Sequence, residues 1–371
     1  MNPRTALKPL WALLLLSMPW HSSPRLCAEV PDYLVIITLD GVRTTELFGG
    51  LDRDTYKAAS KSAEWADEAT YQSYWAETPQ ARREKLMPFF WGEWMSQHGS
   101  VIGNRALGSQ MDLRNRHRFS YPGYSEILTG QARDQQIKSN DKIQSPAPTL
   151  LEFLKKEWQL PKAQVGVFSS WDTIRYIVEQ KAGSLFINSG FEPYQSDDAV
   201  IQSFTLLQKE TTTPWNSVRH DAYTFAFCQH YIDQQSPRVL YLALGETDDW
   251  AHDVRYDRVL ESLHRSDRYL RALWEQYQSN PKTRGNACFV MTTDHGRGDN
   301  PFNWMHHNDK LDGAKQTWMA VVSPSLAARG EWHAHPQAHS DQVAATSAKL
   351  VGVDYQLHDP MAGKPMEWLF R

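Results

Sequence analysis

The sequence predicts an α/β fold: a three-layer sandwich whose largely parallel central sheet is covered by helices, with a helical insertion. Short apolar runs rich in Val, Ile, Leu and aromatics end in polar or glycine-containing sequence, as buried strands do. Amphipathic helical patterns lie between them, and strands that alternate with helices pair in parallel with both faces covered. No linker rich in Pro, Gly or Ser divides the chain, so 29–371 are expected to form a single domain.

The expected strands are 33–39, 165–168, 239–244, 288–293 and 318–322. A helix is expected over 149–158, entered through Pro146 and Pro148. The clearest helix is 256–277, where Val259, Leu260, Leu263, Leu270, Leu273, Trp274 and Tyr277 share one face with charges opposite. A further helix over 343–351 is stopped by Gly352. The stretch 51–108 is rich in Trp, Glu, Arg and Gln and has no convincing strand, so it is expected to be a helical insertion or cap near the site. Within it, the aromatics from Phe89 to Trp94 fit a core or a subunit contact better than a cleft lining.

The chain has 371 residues, 41% hydrophobic and 22% charged, which is ordinary for a globular protein. Its net charge of -4 gives no support to nucleic-acid binding. At the N-terminus, Arg4 and Lys8 precede a short apolar run over 10–18, then His21, Ser22, Ser23 and Pro24, with Ala28 as a cleavage point. That run is shorter than the roughly 20 apolar residues a membrane helix needs. It fits a cleaved signal peptide over 1–28 and an exported, periplasmic or secreted protein. The competing expectation is a buried N-terminal helix. Pro24-Arg25-Leu26 before Cys27 is a poor lipid-attachment signal, and no later segment is apolar for long enough to span a membrane. Cys228 and Cys288 can pair in an oxidising compartment or stay buried as free thiols. The sequence leaves the oligomeric state open.

The chemistry gathers at strand ends. The first strand ends in Leu39-Asp40-Gly41, the third leads into Asp248 and His252, and the fourth ends in Asp294-His295-Gly296. Open α/β sheets place functional groups beyond the carboxyl ends of their strands. Carboxylate oxygen and imidazole nitrogen are the ligands that catalytic zinc takes. Asp248 and His252 are four residues apart, so one helical turn brings them to one face; otherwise Asp248 or Asp249 is a helix cap. A fourth piece, 119–130, is a Pro-Gly loop leading into a short helix, with Ser120 either an N-cap or a nucleophile beside an anion-attracting helix start.

The stretch 120–130 resembles the nucleophile segment of the alkaline phosphatase superfamily, closest to its nucleotide pyrophosphatase/phosphodiesterase-like branch. Asp40, the Asp248-x-x-x-His252 pair and Asp294-His295-Gly296 match three further motifs of that superfamily, in its order, over roughly residues 33 to 355. The resemblance implies a small phosphate-ester substrate and two zinc ions about 3.5–4 Å apart. One ion is implied to take Asp40, Ser120, Asp294 and His295; the other takes Asp248, His252 and one more His. His307 is the expected third ligand, with His306 and His339 as alternatives. Ser120 is the implied nucleophile. Asn115, Arg116, Arg118 and Arg297 lie near the motifs as candidate phosphate donors.

The sequence departs from this pattern in places. Ser120 stands where the phosphodiesterase branch has Thr, and Gly123 where that branch has a phosphate-contacting Asn, so no nucleotide specificity carries over. A sulfatase of the same superfamily fits Ser120 and Pro122, but has Arg where this chain has Tyr124. A phosphoglycerate mutase-like enzyme and a binding protein that keeps the metal without turnover are the remaining alternatives.

Overall fold

The computed structural model describes residues 30–371, so the expected signal segment lies outside the described residues. Strand β1, Tyr33–Leu39, reads YLVIITL and is buried from its second residue on, as a strand covered on both faces requires. The other strands are β2 (Gly99–Ile102), β3 (Met111–Asp112), β4 (Val165–Ser169), β5 (Phe186–Ser189), β6 (Val239–Leu244), β7 (Ala287–Thr292), β8 (Gln316–Thr317), β9 (Met319–Val322), β10 (Gly330–Glu331) and β11 (Ala338–His339). The main sheet has the order β10-β2-β9-β7-β1-β6-β4-β5, and β11-β3-β8 form a small second sheet. In the main sheet β9 alone runs against its neighbours. The fold is therefore the mixed α/β architecture the sequence predicts.

Register sets up the site. Leu39 pairs with Leu244 and Thr38 with Thr292, so β6, β1 and β7 end level at the middle of the sheet. The residues that follow them emerge side by side.

One face of the sheet buries Val35, Ile37, Leu242 and Phe289 against the helices Asp221–Gln235 and Tyr256–Ser279. The other buries Leu34, Ile36, Tyr241 and Val290 against Ser120–Thr129, Leu150–Glu157 and Val343–Leu350. Each fully buried aliphatic side chain contributes about 1.5–3 kcal/mol. Cys228 belongs to the first layer and Cys288 to the second, and both are free and buried, so the sheet keeps them from pairing. Thr149 caps the helix Leu150–Glu157, the one expected after Pro146 and Pro148, through a reciprocal exchange with Glu152.

The insertion differs from expectation. It holds the helices Arg53–Ala59, Ala69–Tyr74 and Pro79–Leu86, but β2 also falls within it and joins the main sheet between β9 and β10. Phe89, Phe90 and Trp94 are buried in the core rather than lining a cleft, and Trp94 meets Phe289 edge-on at 6.1 Å. The Asp267 carboxylate accepts the Phe89 and Phe90 N–H groups at 2.9 and 2.7 Å, anchoring the wide helical stretch Phe90–His98 to the helix Tyr256–Ser279. Among the described residues, no helix is long and apolar enough to cross a membrane.

Candidate metal centre

Asp40 follows β1, and its backbone is fixed before its side chain is. Thr247 donates its hydroxyl to the Asp40 carbonyl at 2.6 Å. The Asp40 carboxylate accepts from the Tyr124 hydroxyl at Oδ2 (2.9 Å), while Oδ1 is buried with no hydrogen-bond partner. Asp294 follows β7. Its Oδ1 accepts the Gly41 N–H at 3.0 Å, and its Oδ2 is likewise buried without a partner. Burial, then the charge of Asp294, pushes Asp40 well above the usual carboxylate range, and burial pushes Asp294 up to about 7. Two adjoining buried carboxylates are costly unless a cation joins them.

Imidazoles converge on the same point. His295 Nδ1 lies 2.9 Å from the Gly296 carbonyl, a contact that fixes its proton there and leaves Nε2 as the free lone pair. That Nε2 is 3.5 Å from Asp40 Oδ1, 3.4 Å from Asp294 Oδ2, 3.7 Å from Asp248 Oδ1 and 3.4 Å from Ser120 Oγ. Asp248 and His252 lie on the seven-residue helix Glu246–His252, with His252 Nε2 at 3.1 Å from Asp248 Oδ2. His307 Nε2 is 3.0 Å from His252 Nε2 and 3.9 Å from Asp248 Oδ1. Two ligand groups result: Asp40, Asp248 and His295, and Asp248, His252 and His307, each with atoms within 4.8 Å of one another. Asp248 belongs to both. Burial holds all three imidazoles below their ordinary value, so they are neutral and able to ligate at neutral pH.

The loop after β7 delivers His307. Gly298 N–H bonds back to the His306 carbonyl at 2.8 Å, and Arg297 Nη1 to the Met305 carbonyl at 2.6 Å, closing the loop on itself. Trp304 is buried against Tyr256, edge to face at 5.0 Å. His306 is exposed, and His339 lies in the small sheet with its N–H on Gln342, so neither alternative enters the two groups. The Arg297 guanidinium is wedged against Asp248, reaching both its carboxylate and its carbonyl. Gly41 makes room for this: at φ +61, a Cβ there meets Asp248 Oδ1 at 2.5 Å and Arg297 Nε at 2.8 Å.

Ser120 opens the helix Ser120–Thr129 and is 5% exposed. The N-cap is Phe119, without a side-chain cap, so Ser120 is not spent on capping. Gly123 is where the helix touches the metal loop: a Cβ there meets the Asp294 carbonyl oxygen at 2.2 Å. No Asn fits at this position, which accounts for the departure noted in the sequence. Tyr121 N–H already donates to Asn140 and Pro122 has no N–H, leaving Ser120 N–H as the free donor of the first residues.

Asn115 and Arg118 are engaged elsewhere, and Arg116 is exposed. Asn115 holds Glu126 and accepts from Arg118 N–H, Arg118 donates to the Leu311 carbonyl, and the Arg116 N–H meets Asp134. Tyr124 and Thr247 were missed as site residues, because hydroxyls that orient a ligand's carboxylate or its backbone carry no spacing motif. So was the support beneath the second group. Glu246, nearly fully buried, accepts from Asp221 N–H (2.9 Å), Ser262 (3.2 Å) and Arg265 (2.7 Å), and pairs with His220 at 3.0 Å. Burial works to raise its carboxyl, but the His220 hydrogen bond and Arg265 outweigh that and hold it at about 2.

The sheet order and these strand ends define an alkaline-phosphatase-like fold. No protein-family model matches the sequence, and no curated protein matches it. Solved structures do. Alkaline phosphatase PafA superposes with a TM-score of 0.61 at 9% identity, over 92% of this chain and 99% of that one. Phosphonate monoester hydrolase SpPMH from Silicibacter pomeroyi gives 0.54 at 11% identity, over 91% and 76%. A 2-O GAG sulfatase gives 0.53 at 10% identity, over 92% and 74%. The expected superfamily resemblance thus holds at the level of the fold.

Proposed function

We propose that this protein is an exported, metal-dependent hydrolase of phosphate mono- or diesters, with Ser120 as nucleophile and two divalent ions, zinc by the nature of the donors. The observation that carries this reading is the convergence of Asp40, Asp248, Asp294, His252, His295 and His307 on one point beside Ser120 Oγ. The donor set fits the ions. Asp40 Oδ1 and Asp294 Oδ2 are buried without partners, and two imidazole Nε2 atoms lie 3.0 Å apart, an approach that needs a shared cation or proton.

In this reading Asp40, Ser120, Asp294 and His295 hold one ion, and Asp248, His252 and His307 the other. When bound, the pair supplies positive charge to the phosphate and leaving-group oxygens and favours the serine alkoxide. Ser120 Oγ would attack phosphorus and break the ester P–O bond, releasing the alcohol, and water would then break the Oγ–P bond, releasing the phosphate product and restoring the serine. Tyr124 and Gly41 N–H hold the carboxylates in orientation, and Gly296 fixes the His295 proton on the far nitrogen. Arg297 is committed to Asp248, so the phosphate is held mainly by the ions and the Ser120 N–H.

Assay of the zinc-loaded protein on p-nitrophenyl phosphate, bis-p-nitrophenyl phosphate and p-nitrophenyl sulfate tests the reading. Cleavage of either phosphate ester supports it and separates monoesterase from diesterase. Cleavage of the sulfate alone, with formylglycine at position 120, replaces it with the sulfatase alternative. Two bound ions with no turnover leave a binding protein.

A second expectation concerns pH. Zinc needs its carboxylate ligands deprotonated. Asp294 is raised to about 7 while the imidazoles are already neutral. Because Asp40 is also raised well above the usual carboxylate range, apparent zinc affinity rises with pH through about 7, by roughly tenfold per unit for each proton released. Competition against a zinc-indicator dye from pH 5.5 to 8.5 measures this, and a flat profile contradicts it.

A further inference from the structure

A cavity of about 540 Å³ lies behind the helix Glu246–His252, lined by Phe204, Leu207, Ala226, His220, Trp250 and Arg265 among others. Its size falls within the roughly 300–1,000 Å³ of small-molecule sites. It is separate from the metal centre, and the helix between them explains how. Glu246 and Trp250 are one turn apart, as are Asp248 and His252, and the two pairs are offset by two residues. At about 100° per residue that puts them on opposite sides of the helix. One side faces the ligand groups and the other faces the cavity.

The cavity has two kinds of wall. Phe204 and Leu207 of the helix Ala199–Glu210, with Ala222 and Ala226 of the helix Asp221–Gln235, make it apolar. Opposite them, Arg265 and His220 flank a single buried carboxylate, Glu246. Each spends one nitrogen on it, Arg265 Nη1 at 2.7 Å and His220 Nδ1 at 3.0 Å. The rest of the Arg265 guanidinium remains available to a ligand, and His220 Nε2 donates to one when the ring is protonated. Arg258, also on the wall, is paired with Glu261 at 2.6 Å and adds less. Glu246 is already satisfied on both oxygens, so the donors exceed the acceptors and the polar end of the cavity favours negative charge.

We propose that this cavity is a binding site for an amphipathic anion: a carboxylate held by Arg265 and His220, with an apolar body against Phe204, Leu207 and Ala226. Because Glu246 anchors the helix that carries Asp248 and His252, occupancy here and metal binding are linked, and each changes the affinity of the other.

Isothermal titration of the purified full chain with octanoate tests the site, with octylamine as a control of opposite charge. The expected result is saturable one-to-one binding of octanoate and at least tenfold weaker binding of octylamine. Ala226→Phe, which fills the cavity from the apolar side and leaves every charged group in place, abolishes it. Arg265→Leu weakens it at least tenfold. Ala226→Phe stands as the deciding variant if Arg265→Leu fails to fold. No saturable heat with octanoate overturns the proposal, as does equal binding of octylamine or unchanged binding in a folded Ala226→Phe. Repeating the titration with and without zinc reads the coupling. An octanoate affinity that does not change overturns the linkage and leaves the site standing.

Discussion

Ser120→Ala lowers turnover of the preferred ester by about 10⁴-fold or more, as loss of a nucleophile does when the rest of the site survives. Zinc binding keeps its stoichiometry, and stability changes little. The structure makes that combination specific. An N-cap serine replaced by alanine costs about 1 kcal/mol. Here Phe119 occupies the cap position and Ser120 caps nothing. Its Oγ has one hydrogen-bonding neighbour among the described residues, His295 Nε2 at 3.4 Å. Removing that oxygen deletes the proposed attacking atom and metal ligand and disturbs no structural bond. Steady-state kinetics, metal analysis and thermal unfolding of the variant check the three parts together. Turnover within tenfold of the parent protein disposes of Ser120 as nucleophile. A large loss of stability returns it to a structural role.

The candidate ligands were legible where chemistry coincides with chain order. Asp40, Asp294 and His295 sit at the ends of strands that read plainly as apolar runs, Asp248 and His252 lie on the short helix that follows β6, and strand ends are where an open sheet collects function. Choosing His307 over His306 and His339 rested on resemblance. The loop that turns it inward depends on Gly298 N–H bonding the His306 carbonyl and on buried Trp304, contacts that no spacing rule encodes. Strands β2 and β5 were missed for a different reason. Each has four residues, β2 opens with Gly99 amid helical sequence, and β5 ends in Asn188 and Ser189. Their place in the sheet comes from partners distant in sequence. The helix Asp221–Gln235 escaped because two of its buried positions, Asp221 and Thr224, are polar. They are there to hold Gly245 and Ser170 at the edge of the site, so function broke the apolar pattern.

Arg297→Met destabilises the metal-free protein by roughly 3–5 kcal/mol, the cost of leaving a buried charge without its partner. Arg297 joins two elements that must meet. Its Nη2 reaches Asp248 on the helix Glu246–His252, and its Nη1 the Met305 carbonyl, two residues before His307. Without it the Asp248 carboxylate faces Asp40 and Asp294 with no cation nearby, and the loop loses its tie. Zinc changes the balance, because a bound ion compensates Asp248 directly. The deficit in the variant therefore shrinks when zinc saturates the site, and thermal unfolding with and without zinc reads the difference. Arg297→Lys separates charge from bridging: an ammonium restores the charge but cannot span both partners as the guanidinium fork does. It falls between the parent and Arg297→Met in metal-free stability. On the proposed two-zinc reading, the ion assigned to Asp248, His252 and His307 is lost from Arg297→Met at lower chelator concentration than the other, because Arg297 holds that group in register while Tyr124 and Gly41 hold the other. A variant as stable as the parent without metal, with both ions retained equally, removes Arg297 from this role.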